Sequence, residues 1–252
     1  MGTMLIVGTS VSGHGNAADL AVTPYYKAAP VAYLPWSRCY GGVTLGYTKS
    51  SDSDPSIRST DPDFLLSQDL GNVPRRLASD PDGVIGGGTI GCNRQYDRLV
   101  LGVELDASGT SQRETVSVTQ GFATVTTALT RELDVLGTFR GRIGYAFDRT
   151  LVYATGGLAV GHLNSSVSIT PAAPGGSVLA GSEDKWRSGW TVGAGLEHMF
   201  APNWSLKGEY LYYDLGTSDI GLVTIAGAPD ETGTLSYKNT GHIIRAGLNY
   251  HF

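Results

Sequence analysis

The sequence predicts an all-β protein, an eight-stranded antiparallel up-and-down β-barrel that crosses a membrane. Three observations lead to this fold class. Segments with alternating apolar and polar side chains recur from Trp36 onward, their connections are long and short in turn, and aromatic residues gather at the ends joined by the short connections. Alternation is the pattern of strands with two unlike faces. The other two features are typical of transmembrane barrels.

Eight segments carry the alternation. In chain order they are WSRCYGGVTLGYTK, GVIGGGTIGCNRQ, RLVLGVELDASG, ELDVLGTFRGRIGYAF, LVYATGGLAVGHLNSSV, KWRSGWTVGAGLEHMF, WSLKGEYLYYDLG and GHIIRAGLNYHF. Short turns follow the second, fourth and sixth segments, whereas the other four connections are long, with a polar loop reaching about Asp82 and a Thr/Ser-rich loop after the third segment. Bacterial barrels have short periplasmic turns and long extracellular loops, which predicts the orientation of the chain.

Charged side chains recur on one face of these strands. They are Arg38, Glu104, Asp106, Arg140, Arg142, Glu197, Lys207, Glu209 and Arg245. In a soluble barrel this face meets water, and in a membrane barrel it lines the lumen, so alternation alone leaves both open. In a lumen the mixed signs allow pairing, which buried charges require. The set would form either a structural salt-bridge plug or the lining of a small conducting path.

The aromatic residues decide between the two environments. Trp36, Tyr96, Tyr145, Phe147, Phe200, Trp204, Tyr250 and Phe252 all fall at the short-turn ends of the strands. Aromatic girdles form where a barrel meets the lipid headgroups. The apolar face is therefore predicted to meet lipid, and the charges to lie inside.

Composition and length set the domain organisation. With 252 residues, the chain is long enough for one large β domain at 36–252. Residues 1–17 are predicted to be a signal peptide cleaved near Ala17, although Lys and Arg are absent from its front, and residues 18–35 a periplasmic Pro/Ala linker. No apolar run reaches the roughly 18 to 20 residues of a membrane-spanning helix. The net charge of −5, without a basic stripe, argues against nucleic acid as a partner.

Four stretches carry a family resemblance: WSRCYGGVTLGY, RGRIGYAFDRTLVYATGGLAVG, GWTVGAGLEHMFAPNWSLKGEYLYYDLG and RAGLNYHF. They resemble the small eight-stranded outer-membrane β-barrel proteins of the porin-like RopB type, distant relatives of OmpA and OmpX, over about residues 36–252. The resemblance implies an integral protein of a Gram-negative outer membrane, in contact with its lipid and lipopolysaccharide. It also implies insertion by the barrel-assembly machinery through a C-terminal signal at Leu248, Tyr250 and Phe252.

Other motifs do not predict catalytic, cofactor or metal residues. The GGGTIG stretch at 86–91 has dinucleotide-binding spacing, but a strand follows it where that motif needs a helix, so the glycines are expected to relieve crowding. The histidines lack ligand spacing. They are His14, His162, His198, His242 and His251. No grouping of a nucleophile beside a base is evident among the residues predicted to line the lumen.

The chain has two cysteines, Cys39 and Cys92. They fall near the periplasmic ends of the first two strands and on their apolar faces. The periplasm is oxidising, which favours a disulfide, provided that the two Cα atoms lie within about 7 Å. Two free thiols that serve as small apolar side chains are the equal alternative.

The predicted function is that of a structural outer-membrane protein, without enzymatic activity, that supports envelope integrity and presents its loops at the cell surface. A narrow porin-like channel for small hydrophilic solutes or ions is the alternative. A third class, a lipid-modifying enzyme, would need a Ser or His constellation at the extracellular rim.

Overall fold

The computed structural model describes residues 36–51, 54–227 and 230–252. The predicted signal peptide and linker lie outside these residues. The elements are β1 (Cys39–Ser50), β2 (Ser56–Arg58), α1 (Pro62–Asp69), β3 (Asp82–Tyr96), β4 (Leu99–Gln120), β5 (Val125–Phe147), β6 (Thr150–Pro171), β7 (Val178–Ala201), β8 (Trp204–Ala226) and β9 (Thr232–His251). Within the described ranges no helix is long and apolar enough to cross a membrane.

The eight long strands close into a barrel. Each pairs antiparallel with the next in chain order from β3 to β9, and β1 pairs with both β3 and β9. The closing ladder runs from Tyr40 opposite His251 to Ser50 opposite Gly241. This arrangement confirms the predicted eight-stranded up-and-down barrel.

The two faces of the strands have opposite environments. Phe139 points outward with 53% of its surface exposed, while its neighbour Arg140 is 0% exposed inside. The same holds on β4, where Leu101 and Leu105 face out and Glu104 faces in. A soluble barrel would place its apolar residues inside, so the outer wall is built to meet lipid.

Two aromatic girdles bound this apolar wall. Seven predicted girdle residues point outward at the periplasmic end: Tyr96, Tyr145, Phe147, Phe200, Trp204, Tyr250 and Phe252. At the other end Trp190 and Tyr212 contact each other, with ring centroids 5.5 Å apart. Phe200 and Trp190 lie ten residues apart on β7. At a rise of about 3.3 Å per residue and a tilt of about 40°, this spans roughly 25 Å, the height of a lipid-facing band.

Trp36 was predicted as a girdle residue, and this prediction is wrong. Its side chain is fully buried in the periplasmic end of the lumen, where it packs with Val100, Leu151 and Met199. Its indole Nε1 donates a hydrogen bond to the carbonyl of Asp148 at 3.2 Å. Because the chain turns across the barrel mouth here, β1 begins at Cys39, three residues later than the alternation suggested.

The outer connections are long, but three of them are mostly strand. The Thr/Ser-rich segment predicted as a loop forms the outer halves of β4 and β5, which meet at a four-residue tip, 121–124. Their hydroxyls pair across the outer face, with Thr115 and Thr130 at 3.1 Å and Thr119 and Thr126 at 2.9 Å. β-branched residues favour such pairing, so the strands continue beyond the membrane.

The first outer connection folds into a cap containing β2 and α1. Asp61 begins the helix because its Oδ1 accepts hydrogen bonds from the backbone N–H groups of Asp63 and Phe64 at 3.0 and 3.3 Å. Gly71 ends it with a φ of +72°. The prediction of a polar loop here is wrong, because it misses this helix. Asp61, Pro62 and Gly71 are standard boundary signals of a helix.

β2 lies beside the outer part of β9, where β1 has already ended. Ser56 is opposite Ser236, and Arg58 is opposite Thr234. This register points Ile57 inward. Ile57 and the helix residue Phe64 therefore enter the apolar cluster that fills the outer end of the barrel.

Candidate functional site: the barrel lumen

The structure brings eight of the nine predicted lumen charges into one buried layer. The carboxylates are Glu104, Asp106, Glu197 and Glu209, and the cations are Arg140, Arg142, Lys207 and Arg245. Four charges of each sign give a layer without formal net charge. They come from β4, β5, β7, β8 and β9, so most of the wall contributes.

Arg140 lies at the centre of the layer. Its Nη1 donates to Glu209 Oε1 at 2.9 Å, its Nη2 donates to Asp106 Oδ2 at 2.8 Å, and it also contacts Glu104. Arg245 binds two of the same carboxylates, with Nη2 at 2.7 Å from Glu209 Oε2 and Nη1 at 3.1 Å from Asp106 Oδ1. Planar guanidinium groups suit such shared contacts.

The other two cations complete the pairing. Lys207 Nζ lies 2.9 Å from Glu104 Oε2, and Arg142 Nη2 lies 2.9 Å from Glu197 Oε2. Each carboxylate therefore has at least one cationic partner, which is the condition under which buried charges are tolerated.

Neutral residues that were not predicted from the sequence donate further hydrogen bonds to these carboxylates. Tyr40 Oη donates to Glu104 at 2.5 Å, Tyr153 Oη donates to Glu209 at 3.1 Å, and Asn249 Nδ2 donates to Glu197 at 2.8 Å. Strand parity was an available signal for Asn249, which lies on the same face of β9 as Arg245. Tyr153 lies on β6, which carries none of the predicted charges.

Arg38 was predicted to belong to this layer, and that prediction is wrong. It lies at the periplasmic mouth, where Nη1 donates to the carbonyl of Pro202 at 3.2 Å in an exposed position. It precedes the first residue of β1. Strand parity therefore does not govern its direction.

Gly91, from the GGGTIG stretch, makes room for the charged layer. A Cβ atom at this position would lie 2.4 Å from Tyr40 Oη, so a larger residue would displace the tyrosine that bonds Glu104. The stretch lies in the middle of β3, which continues to Tyr96 and is followed by a turn and β4. The structure thus places these glycines in a barrel wall rather than at a helix N-terminus.

Apolar and polar layers follow one another outward from the charges. Leu136, Leu211 and Ile243 belong to an apolar cluster in the middle of the barrel. Beyond it lies a cavity of about 20 Å³ lined partly by Gln112, Arg131 and other polar residues, which is room for about one water molecule. The apolar cluster under α1 fills the outer end.

Ser205, His251 and Glu197 lie together near the lumen floor, a grouping of a hydroxyl with a base that the sequence did not predict. Ser205 Oγ is 2.8 Å from His251 Nε2 and 2.6 Å from Glu197 Oε1. In a serine hydrolase the acid binds the histidine nitrogen remote from the serine. Here Glu197 approaches the same Nε2 at 3.4 Å, and all three side chains are buried. The arrangement is that of a structural hydrogen-bond group. Among the described residues, no cluster of His, Cys, Asp or Glu is arranged to hold a metal.

Cys39 and Cys92 occupy directly opposed positions on β1 and β3, and the structure joins them by a disulfide. Their Cα atoms are 3.9 Å apart. We expect the protein isolated from the oxidising periplasmic side to resist alkylation until it is reduced. Mass spectrometry of alkylated samples with and without prior reduction measures this, and two labelled cysteines in the unreduced sample would contradict it.

His162 lies between two carboxylates outside the membrane band. It pairs with Trp186, four residues beyond the girdle residue Trp190. Its Nδ1 lies 3.1 Å from Asp134 Oδ2, and its Nε2 lies 2.8 Å from Asp184 Oδ1. The hydrogen bond with Asp134, together with the nearby Asp184 carboxylate, raises the pKa of the His162 imidazole.

The raised pKa predicts a pH-dependent stability. Protonated His162 stabilises the fold below its unfolded pKa of about 6.5, and this contribution is lost as the pH rises through the folded pKa. We expect the unfolding midpoint of His162→Gln to lie below that of the wild type at about pH 5.5 and to approach it at about pH 9. His198→Gln is the control, because His198 bonds a threonine hydroxyl, Thr150 Oγ1, instead of a carboxylate. A constant difference across this range would refute the prediction.

The lipid-facing wall, the two girdles and the charge-filled lumen define an integral outer-membrane β-barrel protein. A family model described as outer membrane protein beta-barrel domain matches residues 20–252. The chain belongs to this family.

Similar proteins carry outer-membrane names. The chain is 37% identical over 240 residues to the 31 kDa outer-membrane immunogenic protein of Brucella melitensis, covering 94% of this chain and 92% of the relative. It is 27% identical over 162 residues to the 22 kDa outer membrane protein of Rhizobium leguminosarum, covering 64% and 63%. The crystal structure of OprG from Pseudomonas aeruginosa aligns with a TM-score of 0.51 and 13% identity, covering 86% and 96%. The last likeness concerns the fold alone.

Proposed function

We propose that this barrel is a closed envelope protein that supports outer-membrane integrity and presents its outer hairpins at the cell surface. The observation that carries the proposal is the stacking of filled layers along the lumen: Trp36 and its neighbours, the paired charges, the central apolar cluster and the cap. An eight-stranded barrel is just wide enough for its interior side chains to fill it.

Surface presentation is supported by the length of the strands beyond the membrane band. Trp190 lies twelve residues from Val178, the outer end of β7. The Brucella relative is named as an immunogenic protein, which accords with exposed outer hairpins. In this proposal the outer barrel acts as a rigid support for the hairpin tips, because apolar side chains fill it.

Single-channel recording in planar bilayers tests the closed state against the channel alternative. We expect the purified protein to give no discrete conductance steps, because every layer would have to rearrange to admit ions. Reproducible steps from the wild type would support a narrow pore instead.

A deletion strain tests the envelope role, and we expect it to be more sensitive to detergents and large antibiotics than a complemented strain.

A further inference from the structure

A groove crosses the lipid-facing wall of β1, β3, β4 and β5 near the disulfide. Its volume is about 370 Å³, and Ile90, Leu105, Phe139 and Phe252 contribute to its lining. Cys39 and Cys92 also line it. The short cysteine side chains lie between much larger ones, so the surface is concave here. A lining of this kind matches a hydrocarbon chain.

The groove opens toward the periplasmic headgroup layer. On the outward face of β3, Cys92 is followed by Arg94 and then by the girdle residue Tyr96. Each step of two residues advances about 7 Å along a strand. The groove therefore meets the acyl chains of the inner leaflet, and Arg94 lies at the depth of their headgroups.

Two guanidinium groups occupy this end of the wall. Arg94 is exposed and makes no hydrogen bond or ion pair with the residues that the structure describes. Arg98, in the next turn, donates from Nη1 to the hydroxyl of Tyr145 at 3.2 Å. Asp97 lies in the same turn, so the three groups carry a net positive charge. Guanidinium groups bind phosphate with paired, charge-assisted hydrogen bonds, and basic pockets at membrane interfaces favour anionic headgroups.

We propose that this wall binds one anionic phospholipid of the inner leaflet. One acyl chain lies in the groove beside the disulfide, and the phosphate lies between Arg94 and Arg98. The apolar lining supplies contact with the chain, and the two arginines supply the preference for a lipid with a net negative charge. The site is independent of whether the lumen is closed, because it lies on the outer wall.

Native mass spectrometry of the full-length, delipidated protein in detergent tests the proposal. Phosphatidylglycerol and the zwitterionic phosphatidylethanolamine serve as probes. We expect one phosphatidylglycerol to bind saturably, at least about tenfold more tightly than phosphatidylethanolamine, a ratio within reach of one or two charge-assisted contacts. Equal binding of the two lipids, or binding without saturation, would overturn the site.

Two kinds of variant separate the headgroup from the chain. Arg94→Gln/Arg98→Gln should abolish the preference for phosphatidylglycerol. Arg149→Gln, which changes the matching arginine of the next Asp-Arg turn, should retain it. Val103→Trp should weaken the binding of both lipids several-fold, because Val103 lines the groove and the larger ring would fill it. If Arg149→Gln lost the preference for phosphatidylglycerol as fully as the double variant, the attraction would be general electrostatics and the site would be refuted. Unchanged lipid affinity of Val103→Trp would also refute the site. Unheated gel mobility confirms that each variant is a folded barrel.

Discussion

Replacing Arg140 with alanine is expected to destabilise the barrel by about 3 to 5 kcal/mol, the usual effect of removing one partner from a buried ion pair. Arg140 is fully buried and contacts three carboxylates, Glu104, Asp106 and Glu209. Without it, Asp106 and Glu209 keep Arg245, but the layer holds four carboxylates and three cations. The excess negative charge lies where water cannot easily solvate it.

The midpoint of chemical unfolding in lipid vesicles, followed by tryptophan fluorescence, measures this effect. Arg113→Ala is the matched control, because Arg113 is 63% exposed and lies 3.7 Å from Glu132 on the outer wall. Exposed pairs contribute about 0 to 1 kcal/mol. Adding Glu209→Gln to Arg140→Ala should recover part of the loss by restoring neutrality. Equal midpoints for Arg140→Ala and Arg113→Ala would contradict the structural role of the layer.

Replacing Phe252 with aspartate is expected to lower the amount of protein in the outer membrane several-fold. Phe252 is 71% exposed on the lipid side, and its backbone N–H donates to the carbonyl of Cys39 at 3.0 Å. Phe252 is also predicted, with Leu248 and Tyr250, to belong to a signal that the assembly machinery recognises during insertion. The aspartate would remove this ring, and unassembled chains would be degraded in the periplasm.

Phe147→Asp separates recognition from simple loss of a girdle contact. Phe147 is 58% exposed at the same end of the barrel, and a charge near the interface costs only about 0 to 1 kcal/mol. Fractionation and immunoblotting should therefore show nearly normal levels of this variant. Equal losses from both variants would mean that Phe252 acts only as a girdle residue, and normal insertion of Phe252→Asp would refute any special role.

Strand periodicity made much of the barrel wall predictable. Leu101 and Glu104 differ in parity along β4, and in the structure they lie on opposite faces. A strand sends successive side chains to opposite sides whatever surrounds it, so the sequence determined which residues share a face. The placement of aromatic residues then determined which face meets lipid. The inward position of eight lumen charges was predictable from strand parity and aromatic placement together.

Strand periodicity does not predict side-chain directions where the chain is not a strand. Trp36 and Arg38 both precede β1. The side chain of Trp36 is buried in the lumen, whereas Arg38 lies at the lumen mouth. The polar composition of the first connection predicts a loop and outweighs the capping signals at Asp61 and Gly71, so α1 is not predicted. Its position over the barrel depends on the pairing of β2 with β9, which joins residues 180 apart at Ser56–Ser236 and 176 apart at Arg58–Thr234.

The fold class, the lipid-facing surface and the inward position of most lumen charges can be predicted from the order of amino acids alone, because they follow from a two-residue repeat. Which charges meet, and whether the lumen is filled, depends on contacts between distant parts of the chain. Arg245 reaches Asp106 across 139 residues, and Phe64 packs under the outer hairpins although it belongs to the first connection. Such contacts depend on the register with which the ring closes and on how a distant segment folds over it. Neither is a property of any local stretch of chain.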